Sequence, residues 1–191
     1  MKKSDIILVL MLLGVLMNVS AQRTLPVEEY YKYVTNPNKR LASDNITKVK
    51  DVNDVFRKFY GFWKGTYRGK TYRLVMDNDT KKSDFGVERD YVVMRYRVQD
   101  ANGRMIENSI STPEYPDDQK YEVRSEYLDK NGNLQMFFSG GKSDCGIDGV
   151  LIVYVEGGKM SVTLVPQYQY PCDNPTIIFP PKESVIFFRG F

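Results

Sequence analysis

Tyr91-Val92-Val93-Met94-Arg95-Tyr96-Arg97-Val98-Gln99 runs into Asp100-Ala101-Asn102-Gly103. Val92, Met94, Tyr96 and Val98 share one parity, and Arg95, Arg97 and Gln99 the other. Successive side chains point to opposite faces of a strand, so the stretch predicts a strand with one apolar and one polar face. Asn-Gly supplies the positive φ that a tight hairpin requires, so Arg104 to Ile110 is expected to fold back as the next strand.

The same grammar extends in both directions. Downstream, Tyr121 to Leu128 places Tyr121, Val123, Ser125 and Tyr127 on one face and Glu122, Arg124 and Glu126 on the other. Asp129-Lys130-Asn131-Gly132 repeats the Asp-x-Asn-Gly pattern and turns the chain into Leu134 to Phe138. Val150 to Val155 and Lys159 to Val165 flank Glu156-Gly157-Gly158, and Ser184 to Arg189 is the last strand. Upstream, Trp63 to Tyr67 and Lys70 to Met76 flank Arg68-Gly69, with a polar loop expected from Asp77 to Asp84. One helix is expected: Asp51 can cap it, Val52, Val55, Phe56 and Phe59 share a face, and Gly61 suits its C-terminus. The fold class is therefore all-β, an antiparallel up-and-down barrel of about eight to nine strands with one short N-terminal helix. A sandwich is the alternative. Closure removes exposed edges, and a barrel of about eight strands encloses either side chains or one small ligand.

The N-terminus sets the compartment. Lys2 and Lys3 precede an apolar run from Ile6 to Met17, and Val19-Ser20-Ala21 ends it. This is the order of a secretory signal, and the run is short of the roughly 20 residues that span a bilayer. Residues 1–21 are expected to be removed, leaving a polar lead-in at 22–48 and a barrel domain at 49–191. An uncleaved anchor is the alternative. The mature protein would be exported, periplasmic or secreted, with no stable membrane span. In an oxidising space Cys145 and Cys172 are expected to bridge, for about 3.5 kcal/mol. A reactive thiol is the competing reading, but the chain has no histidine to activate it. The missing histidine also excludes Ser-His pairs and His-ligated metals. The net charge of +3 is too small and scattered for nucleic acid. No cofactor is implied.

Gly61-Phe62-Trp63 forms G-x-W at the start of the first barrel strand. It resembles the lipocalin family and its calycin relatives. The resemblance implies that Trp63 closes the bottom of the barrel, with Arg189 packed over it by a cation–π contact of about 0.5–2 kcal/mol. The T-D-Y-type turn and the C-terminal helix of the main family are missing, so no lipocalin ligand residues carry over. Trp63-Lys64-Gly65-Thr66-Tyr67-Arg68-Gly69-Lys70-Thr71, with Cys145-Gly146 downstream, also resembles a group of small secreted bacterial proteins of unknown function. That likeness implies a lipocalin-like barrel and no activity.

The leading functional reading is an exported protein that binds a small apolar or amphipathic ligand without catalysis. Candidate lining residues are Tyr67, Met94, Tyr96, Tyr121, Val123 and Tyr127. Alternatively, these bulky side chains simply fill the barrel. Pro166 to Pro181 holds five of the nine prolines together with Tyr168, Tyr170 and Phe179. Such a long connection is read either as an aromatic flap over the open end, adding Tyr168 and Tyr170 to the site, or as a crossover packed on the wall. A second class of function, an envelope interaction or structural protein, would use this loop. With no histidine and no recognisable catalytic motif, an enzyme would need carboxylates, a tyrosine or lysine pair, or an unbridged cysteine. Glu122 and Glu126 alternate with apolar residues and are expected to face water, and Ser139-Gly140-Gly141-Lys142-Ser143 lacks the spacing of a phosphate loop.

Overall fold

The computed structural model describes residues 23–83, 86–110, 123–140, 146–169, 173 and 176–190. The expected signal, Tyr121, Tyr170, Cys145 and Cys172 lie outside them. The alternating stretch is strand β5 (Glu88–Gln99), and one of its edges pairs along its length with β4 (Lys70–Lys82). From there an antiparallel meander runs through β3 (Gly61–Tyr67), β11 (Ser184–Arg189), β10 (Lys159–Gln169), β9 (Ile147–Glu156), β8 (Leu134–Ser139) and β7 (Val123–Leu128). β7 returns to β5 through Val93↔Arg124 and Met94↔Val123, which closes an eight-stranded barrel. Its first and last strands, β3 and β11, are neighbours, with Gly65 opposite Phe187. A Cβ at Gly65 would stand 2.5 Å from the Ile186 carbonyl oxygen and 2.9 Å from the Phe187 ring, so this crossing admits only glycine.

The edge of β5 that takes β7 carries two further additions. β6 (Met105–Asn108) covers its C-terminal end. At its N-terminal end β2 (Ile46–Lys50) pairs in parallel, and β1 (Arg23–Pro26) pairs with β2. The polar lead-in is thus partly built into the sheet: Leu25, Val27, Ile46 and Val49 are buried with the barrel core.

Two elements differ from expectation. Residues 51–60 form a chain of turns, not a helix. The Asp51 carboxylate accepts from the Val55 and Phe56 amides at 2.8 and 2.9 Å, as a cap would, but Asp54 adopts a φ of 54° and breaks the helical run. Phe56 and Phe59 still turn inward, while Val52 is exposed. The short helix lies earlier, as α1 (Tyr31–Val34). The second difference is the expected loop at 77–84. Most of it continues β4, which pairs with β5 as far as Lys82↔Glu88. Asp90 holds this ribbon together, accepting from Lys50 Nζ (3.0 Å), the Asp51 amide (3.0 Å) and Thr80 Oγ1 (2.7 Å). Burial pushes the Asp90 carboxyl up, but these donors outweigh it and hold it below the ordinary aspartate value.

The repeated Asp-x-Asn-Gly turns share one geometry. Asp100 Oδ1 accepts from the Asn102 and Arg104 amides at 2.9 and 2.8 Å, and Asp129 Oδ1 from the Asn131 and Asn133 amides at 2.8 and 3.0 Å. Gly103 and Gly132 take φ of 79° and 75°. Both carboxylates serve the turn backbone. No helix among the described residues is long and apolar enough to cross a membrane.

Candidate functional site

The barrel has three places where a ligand could be sought: its two ends and its outer wall. One end is closed by Trp63. Its indole Nε1 donates to the Phe59 carbonyl at 2.8 Å, and the Arg189 guanidinium lies 5.0 Å from its ring centre. Arg189 also donates to the Lys58 carbonyl at 3.2 Å, and Lys58 Nζ reaches the Gly132 carbonyl at 3.0 Å. The turns at 51–60 are thereby tied across the barrel base.

The other end is closed by the chain before β11. Ile178, Phe179 and Pro180 are buried there. The Phe179 ring meets Phe138 at 5.3 Å, Tyr96 at 5.7 Å and Tyr72 at 5.9 Å between centroids. Edge-to-face arrangements predominate, the favoured geometry for aromatic pairs. Tyr72 donates to the Ile178 carbonyl at 3.0 Å, and burial raises its phenol to about 12. Lys70 Nζ donates to the Ile177 carbonyl at 2.8 Å, and burial lowers its ammonium below the ordinary lysine value. Tyr67 and Arg68 both reach Glu183.

Between these ends buried side chains line the lumen. Met94, Tyr96 and Val123 come together inside, with Met136, Leu151 and Val162 opposite, all buried. Tyr96 donates to the buried Glu107 carboxylate. Tyr67 stands apart at the rim. A bulge between Ser125 and Tyr127 changes the parity of β7, so Leu128 takes the inward position and Tyr127 is only half-buried. Pro166 to Gln169 continue β10 past a bulge, and Tyr168 is 54% exposed. The aromatic over the barrel mouth is therefore Phe179, and Tyr168 points to solvent.

A concavity among the described residues is on the outside. A groove of about 940 Å³ lies over the outward faces of β11, β3, β4 and β5. Phe62, Val75, Ile110, Ile186 and Phe188 give it apolar walls, and Lys64, Arg73 and Arg97 give it charge. Phe62 and Phe188 are 65% and 53% exposed, unusual for aromatics on a barrel wall. Expectations from the sequence centred on the inward parity and missed these residues. A visible signal was the unbroken apolar run Val185-Ile186-Phe187-Phe188, which cannot keep one strand face polar.

Compared with known proteins, the chain matches no family model, no curated protein and no solved structure.

Proposed function

We propose that the protein is an exported, non-catalytic, lipocalin-like barrel that binds a small amphipathic ligand, and that it does so in the groove on its outer wall. The observation that carries the reading is the groove itself, with its exposed aromatic walls. Concave, largely apolar sites with a few placed polar groups are the usual form of small-ligand sites. A ligand in the lumen would have to displace Phe179 from three aromatic partners. Export rests on the basic, apolar, small-residue order of residues 1–21. A mature N-terminus at Gln22 in protein recovered from its own source tests it.

The binding test uses the neutral fluorophore N-phenyl-1-naphthylamine, which brightens in apolar sites. Wild type is expected to enhance its emission, and Phe62→Asp with Phe188→Asp to weaken binding about tenfold by putting charge on the apolar wall. Unchanged binding in this variant, confirmed folded by circular dichroism, overturns the groove reading.

A further inference from the structure

Resting on the groove reading, we propose that the ligand is a free single-chain amphiphile with an anionic head. Lys64, Arg73 and Arg97 hold the head, and the chain lies across β3 and β11 against Phe62, Ile186 and Phe188. The strand register carries the argument. Phe188, Lys64, Arg73, Arg97 and Asn108 are successive cross-strand partners, one on each of β11, β3, β4, β5 and β6. Three cations therefore stand side by side on one face, about 4.8 Å from strand to strand. Like charges directly opposite each other in a sheet are destabilising. Some cations of the barrel are ion-paired: Lys50 with Glu88 and Asp90, and Arg68 with Glu183. Lys64 and Arg73 have no carboxylate within ion-pair reach among the described residues. Arg97 is steadied by Asn108, whose Oδ1 accepts from its Nε at 3.4 Å.

The row is graded as well as charged. Its β4 and β5 end is guanidinium, suited to the planar oxygens of a carboxylate or the tetrahedral oxygens of a phosphate. Its β11 end is aromatic. From β5 to β11 is about 14 Å, three strand spacings, which suits an extended medium-length alkyl chain. On the β3 edge the backbone is satisfied, since the Gly190 amide donates to the Phe62 carbonyl at 2.9 Å, so that wall offers apolar contact without a stranded polar group. The surface is concave, so a flat bilayer would leave its floor unfilled. A free molecule fills it.

Calorimetric titration with decanoate and decan-1-ol below their aggregation limits separates head from chain. Decanoate is expected to bind wild type about tenfold more tightly than the alcohol, since the charged hydrogen bonds are the only difference. Lys64→Gln with Arg73→Gln should lose that tenfold for decanoate and leave the alcohol unchanged. Raising salt from about 0.05 to about 0.5 M should weaken decanoate alone. Equal affinity for the two ligands overturns the anionic head while leaving the groove reading intact, provided Phe62→Asp still weakens both. Binding to phosphatidylglycerol vesicles with none to free decanoate overturns the proposal in favour of a membrane surface. Absence of all binding overturns both readings.

Discussion

Trp63 and Phe62 are adjacent in sequence and are 1% and 65% exposed; Phe187 and Phe188 are 0% and 53% exposed. One member of each pair faces the lumen and the other the outer wall. Inside, the aromatic is surrounded and fixed: Trp63 by Phe59 and Arg189, Phe187 by Tyr72 and Gly65. Outside, the aromatic lies in an open groove beside cations. The same residue type therefore does two kinds of work at adjacent positions. Inward it stabilises the barrel through packing, and outward it offers contact area at the cost of solubility.

Substitutions on the two faces should separate stability from binding. The largest effect is expected inside. Phe179→Ala removes the ring that Tyr72, Tyr96 and Phe138 surround, and should lower unfolding free energy by about 3–5 kcal/mol in denaturant titration. Binding in the outer groove should persist. If the variant instead gains affinity for N-phenyl-1-naphthylamine while remaining folded, the lumen is a latent site and the two faces differ less in what they do. Gly65→Ala comes next, at about 1–3 kcal/mol, because its methyl meets the Ile186 carbonyl and the Phe187 ring. Asp90→Asn should cost about 1–2 kcal/mol at neutral pH by weakening the acceptor for Lys50, Asp51 and Thr80. The folded carboxyl is held low, so this contribution is complete above the ordinary aspartate value of about 3.9 and fades as pH falls through the lower folded value. The wild-type and variant unfolding curves should therefore converge in acid. The smallest stability effect is expected at Phe188→Ser, within about 0.5 kcal/mol, with a clear loss of ligand affinity. A large loss of stability there would show that the outer aromatics are structural after all.

Much of the fold was legible because the signals were local. The parity of Val92, Met94, Tyr96 and Val98 and the two Asp-x-Asn-Gly turns fix strands and hairpins within a few residues of themselves. What could not be read depends on distant partners. Asp77, Asn78 and Asp79 have poor strand propensity, and only pairing with Val93, Val92 and Tyr91 makes them strand. The segment 51–60 has helical spacing, yet a single left-handed Asp54 redirects it while Phe56 and Phe59 still reach the core. The bulge in β7 that moves Tyr127 aside leaves no mark in its own sequence. The groove was hidden for a similar reason. Lys64, Arg73 and Arg97 lie far apart along the chain, and only the β3–β4–β5 register lines them up.

The meeting of β3 with β11 has a consequence for how the chain is made. Phe187 must reach Gly65 before the wall is continuous, so the cylinder cannot shut until β11 has been made, long after β3. Until then Trp63, Tyr72 and Leu74 lack the strand that covers them. Closure therefore rests on a contact between residues far apart in the chain, the kind that forms slowly.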